Sequence, residues 1–73
     1  RIIEFNGTPL RQMISAANRY SKRQILLKEE TLGDLRVTAA YRVGDADALA
    51  VALATGFDLR VEHASNGDLV LMR

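Results

Sequence analysis

Apolar and polar positions follow two different periods along the chain, and the changes between them mark out its elements. Ile2, Ile3, Glu4 and Phe5 read as a short strand, and Asn6-Gly7 turns the chain. Thr8-Pro9 predicts a helix start, with Thr8 as N-cap and Pro9 at the first helical position, where a missing N–H leaves no bond unmade. Leu10, Met13, Ile14 and Ala17 then recur at the i, i+3, i+4, i+7 spacing of one helical face. Arg11, Gln12, Ser15, Asn18 and Arg19 fall off that face, and the helix is predicted to end near Tyr20 or Ser21.

The run Ile25-Leu26-Leu27 is short and unbroken, which predicts a second strand over Gln24–Lys28. Glu29 to Leu35 reads as a loop, pinned to the core by Leu32 and Leu35. From Arg36 to Arg42 the pattern alternates: Val37, Ala39 and Tyr41 against Arg36, Thr38, Ala40 and Arg42, the mark of a half-buried strand. Gly44-Asp45 breaks it, and Asp45 is a good N-cap for a helix over Ala46–Thr55, closed by Gly56. After Asp47 this helix carries no charge up to Ala54. A helix apolar all round is usually covered on more than one side, so the helices are expected to lie between two layers. By the same reasoning Val51 and Ala54 are expected to meet a second internal layer rather than form an open patch.

Asp58–Ala64 and Asp68–Met72 form a closing hairpin around Ser65-Asn66-Gly67. A two-residue Asn-Gly turn would set Leu59 and Val61 beside Val70 and Met72. A three-residue loop, with Gly67 left-handed, sets them beside Leu69 and Leu71 and gathers more apolar residues on one face, so it is preferred. The order is β-α-β, then β-α-β-β, a degenerate duplication. It predicts one α+β domain over residues 1–73, with two helices sandwiched between two small β-sheets.

Composition narrows the function more by exclusion than by signature. Ten basic and nine acidic residues leave a formal net charge of +1, too balanced to steer the whole domain to nucleic acid or an anionic surface. Apolar residues make up 48% of the chain, which suits a globular domain, and there is no cysteine for a disulfide or a thiolate metal site. No stretch is long and apolar enough to cross a bilayer as a helix. The chain starts at Arg1 and is expected to be part of a longer protein. His63 stands alone near the hairpin turn, and the carboxylates have local roles in loops and caps. The five glycines are scattered as turn or cap residues, and no serine sits in a nucleophile elbow. No catalytic, cofactor-binding or metal-binding residue is assigned, and no enzyme is expected.

Arg19, Lys22 and Arg23 cluster where the first helix ends, where cations offset the negative end of the helix dipole by about 0.3–1 kcal/mol. Nucleic-acid binding would call for a longer basic face with exposed aromatics, whereas Phe5, Tyr20, Tyr41 and Phe57 all occupy plausible core positions. A small α/β nucleic-acid-binding domain is therefore only an alternative. The outer face of the third strand, Arg36, Thr38 and Arg42, is a second polar surface, read first as a solvated face.

The stretch "FNGTPLRQMISAANRYSKRQILL", then "LGDLRVTAAYRVGDADALAVAL" and a last hairpin, resembles the C-terminal domain of FecR-type regulators, bacterial inner-membrane sigma-factor regulators. Asn18-Arg19-Tyr20 and the basic pair before the second strand carry the resemblance, as does Leu35-Arg36-Val37-Thr38 leading to an aspartate-capped helix. The pattern is also similar to the short N-terminal domain shared by secretins and TonB-dependent receptors, so a receptor signalling domain or a secretin module is an alternative. Ala39 and Ala46 depart from the Gly and Pro that many relatives carry. The resemblance implies a periplasmic module of a single-pass inner-membrane protein, with no cofactor, no nucleic acid and no membrane contact of its own. Its implied partner is the N-terminal signalling domain of a TonB-dependent outer-membrane receptor, often one for a ferric siderophore. A cytoplasmic part outside this chain would relay the signal to an extracytoplasmic-function sigma factor. Strand addition at an open sheet edge is a natural mode of contact for so small a domain. The candidate surfaces are Arg36, Thr38 and Arg42, and the last strand Leu69, Val70, Leu71 and Met72, while Asn18, Arg19 and Tyr20 are expected to be mainly structural.

Overall fold

In the computed structural model, which describes residues 1–73, the chain runs β1 (Ile2–Pro9), α1 (Leu10–Asn18), β2 (Ile25–Leu27) and a 3₁₀ turn (Glu30–Asp34). It continues through β3 (Arg36–Arg42), α2 (Ala46–Phe57), β4 (Arg60–His63) and β5 (Leu69–Met72). β1 and β3 form a two-stranded antiparallel sheet. The second sheet has the order β2-β5-β4, with β5 central, parallel to β2 and antiparallel to β4. Two helices and two small sheets make the α+β sandwich that the sequence predicts.

α1 lies at the centre. Its stripe of Leu10, Met13, Ile14 and Ala17 is buried, against β1 and β3 on one side and β2 and the 3₁₀ turn on the other. Ile25, Leu32, Leu69 and Leu71 complete the innermost layer, each at most 1% exposed. Asn18, at the end of α1, ties the helix to β2. Its Nδ2 donates to the Ile25 carbonyl (3.0 Å), and its Oδ1 accepts from the Ile25 amide (2.8 Å).

The start of α1 departs from expectation. Thr8 and Pro9 belong to β1, opposite Val37 and Arg36, because a bulge between Phe5 and Thr8 returns the chain to the ladder. Gly7 takes the positive φ of 62° that the bulge requires. Helix capping by Thr8 is replaced by tertiary pairing: the Leu10 amide donates to the Leu35 carbonyl at 2.7 Å. α1 ends at Asn18, before Tyr20. β2 is also shorter than expected, and Leu26 turns outward, 45% exposed.

The hairpin takes the preferred register. Val61 pairs with Leu71 and His63 with Leu69, and Gly67 adopts φ 95°. Asp45 caps α2 by accepting from the Ala48 amide at 3.4 Å, but the helix runs through Gly56 to Phe57. Asp58, not Gly56, takes the left-handed conformation (φ 56°) that ends it. Asp tolerates that conformation through its short polar side chain. The longer helix places Phe57 against the core and lets the Leu59 amide close on the Ala54 carbonyl (2.8 Å).

Coverage of α2 is the main surprise. It packs on β4 and β5, burying Ala46, Leu49, Ala50 and Leu53. Val51 is 60% exposed, Ala54 is half-buried, and Ala48 and Ala52 are exposed. No second layer covers this side, because the first sheet stops at β3 and has no third strand to lie over the helix.

Candidate functional site

The open side of α2 adjoins the open edge of β3, and together they form a groove of about 440 Å³. Residues Val37 to Arg42 line one side. Ala48, Ala52 and Gly56 line the other at i, i+4, i+8, with the buried Leu49 and Leu53 between them. Ala39 shares a strand face with the buried Val37 and Tyr41 but is itself exposed, because α2 does not reach it.

Hydrogen-bond alternation shows which backbone groups are free. The Val43 amide donates to the Arg1 carbonyl (2.9 Å), so Tyr41 and Ala39, aligned with Ile3 and Phe5, also turn toward β1. Thr38, Ala40 and Arg42 turn their N–H and C=O groups the other way, toward the groove, where no strand lies. One of these is used locally: the Arg42 carbonyl accepts from the Asp45 amide at 3.1 Å.

The other sheet edges are blunted. β1 carries a bulge and Pro9, β2 is three residues long, and β4 presents Arg60, Glu62 and His63. Short length, bulges, proline and charge all discourage strand addition. β3 has seven residues, no proline and two alanines at its centre, with its charges only at the ends.

The structure separates the residues singled out from sequence. Arg36 and Thr38 hold the bulge of β1: an Arg36 guanidinium N–H donates to the Gly7 carbonyl (2.9 Å), and Thr38 Oγ1 accepts from the Gly7 amide (3.0 Å). Arg42 is exposed at the groove and makes no ion pair; the ion pairs are Arg11–Asp34 and Arg23–Asp47. β5 offers no edge, since β2 and β4 flank it, and Leu69, Leu71 and Met72 are buried. Val70 is half-buried, on the outer face beside Leu26. The candidate surface therefore narrows to β3 and its neighbour α2.

Asn18 is the clamp described above, and Arg19 is the exposed residue at the helix end. Tyr20 is not a core residue: it is 44% exposed, with the Arg1 guanidinium 5.8 Å from its ring centre. Arg23 is engaged by Asp47 at 2.8 Å, which divides the basic cluster. His63 is exposed, and no three His, Asp or Glu side chains converge. Sequence reasoning did not single out Ala40, Ala48, Ala52 and Gly56, which line the candidate groove. The available signal was small residues on two neighbouring elements, Ala39-Ala40 and the Ala48, Ala52, Gly56 series.

The fold is shared with two crystal structures of candidate anti-sigma factors from Parabacteroides distasonis. The first superposes with a TM-score of 0.79 at 19% identity, covering 99% of this chain and 33% of the solved one. For the second the values are 0.75, 21%, 96% and 32%. The chain thus spans about a third of the length of the solved chains it matches. No model of a known protein family matches the chain, and no curated protein does.

Proposed function

We propose that this chain is the signal-receiving module of a sigma-factor regulator of the FecR type. The observation that carries the reading is the match in fold, over 99% of the chain, to a candidate anti-sigma factor. The sequence resemblance at Asn18-Arg19-Tyr20 and Leu35-Arg36-Val37-Thr38 supports the same family. On this reading the module sits in the periplasm and binds the N-terminal signalling domain of a TonB-dependent outer-membrane receptor, such as one for a ferric siderophore. A cytoplasmic part of the same protein relays the event to an extracytoplasmic-function sigma factor. The module works by binding and carries out no reaction.

The test is a titration of the isotope-labelled domain with the signalling domain of the TonB-dependent receptor encoded beside it. Amide shifts that saturate at a fixed stoichiometry are expected. An unchanged spectrum at millimolar receptor domain would overturn the receptor as partner.

A further inference from the structure

We infer that the groove between β3 and α2 docks an extended segment of a partner protein, which adds to β3 as the missing third strand of the first sheet. The inference deepens the reading as a protein-binding module. It rests on three features that coincide. Thr38 and Ala40 present backbone donors and acceptors with no strand opposite. α2 presents Ala48 and Ala52 to the same space, so side chains on one face of an added strand would meet an apolar wall. Arg42 stands at one end of the edge with an unpaired guanidinium.

These features define the occupant's chemistry. Strand addition draws affinity from main-chain bonds and specificity from alternate side chains. Residues of the segment facing α2 are apolar, because Ala48, Leu49, Ala52 and Leu53 offer no polar side chain. The small side chains of Ala39, Ala48 and Ala52 leave room for branched residues there. On the other face, a carboxylate of the segment pairs with Arg42. A second copy of this chain fits less well. Antiparallel overlap of two whole β3 strands sets Arg36 of each copy against Arg42 of the other, and like charges directly opposite are destabilising.

The experiment selects seven-residue peptides from a displayed random library against the intact domain and follows the selected peptide by amide hydrogen exchange. Enriched sequences are expected to alternate apolar residues and to carry Asp or Glu near one end. With peptide at about 10 Kd, exchange at the Thr38 and Ala40 amides should slow about tenfold by mass action. Ala52→Arg fills the groove from an exposed helix position, and Ala40→Pro removes an edge donor that β1 does not use. Each should abolish binding, whereas Leu26→Lys, on the outer face of the other sheet, should leave it intact.

A selection without binders, or binders that leave both amides unprotected, overturns the groove. Protection of those amides in the free domain, with a dimer in sedimentation, overturns it in favour of self-pairing. The receptor signalling domain is titrated in parallel. Binding of that domain without protection at Thr38 and Ala40 sinks the groove and keeps the receiving-module reading. Peptide protection without receptor binding keeps the groove and sinks that partner.

Discussion

The two helices invert the usual relation between pattern and cover. α1 is amphipathic, with Arg11, Gln12 and Ser15 flanking a narrow apolar stripe, yet it is the helix held between both sheets. α2 is uncharged from Ala48 to Phe57, yet it packs mainly on β4 and β5 and leaves Val51 60% exposed. A stripe suffices for α1 because β1, β3, β2 and the 3₁₀ turn all pack against it, and its ends are tied down by Leu35 and Ile25. α2 has apolar surface to spare where the first sheet runs out of strands. Apolar surface beyond what the fold covers points to an external partner more directly than any charged cluster on this molecule does.

Substitutions can break that comparison. The largest effect is expected for Met13→Ala, whose side chain is fully buried. It should cost about 2–5 kcal/mol in urea unfolding. A loss below about 1 kcal/mol would mean that α1 is not the two-sided element. Next comes Asn18→Ala, which leaves the Ile25 amide and carbonyl without their partner. About 1–3 kcal/mol is expected for stranded backbone groups of this kind. Fast amide exchange at Ile25 in the variant would identify that cause.

Asp45→Ala removes the α2 cap and should cost about 1 kcal/mol, with the loss seen first as fraying at Ala48 in exchange experiments. Smallest is Val51→Lys on the open side of α2. Its stability should stay within about 0.5 kcal/mol of the parent, as for an ordinary surface site. A loss near that of Met13→Ala would place Val51 in a buried contact within the isolated domain, and the contrast between the helices would fail.

Much of the framework was legible before any coordinates. The stripe Leu10, Met13, Ile14, Ala17 is buried as its spacing predicts, because a helix turns side chains with a fixed local period. The hairpin register was legible for a related reason. A slip by one residue would have sent Leu69 and Leu71 to solvent, and Gly67 was available for the positive φ. The candidate site was legible only in part. Arg42 and its strand were singled out, but Arg36 and Thr38 turned out to hold the β1 bulge, and β5 turned out to be central in its sheet. Each of those outcomes depends on a residue far away in the chain, to which local pattern is blind.

By itself, the sequence determined the kinds of element, their order and which side chains avoid water, because these follow from propensity and period over a few residues. Only the tertiary structure decided what each apolar face meets. Thr8 and Pro9 are strand because Val37 and Arg36 lie opposite them, and α1 begins without a side-chain cap because Leu35 supplies the acceptor. α2 stays open because no strand follows β3 in its sheet. A side chain's preference for burial is a local property, whereas the presence of a neighbour to bury it is a fact of the whole chain's pairing.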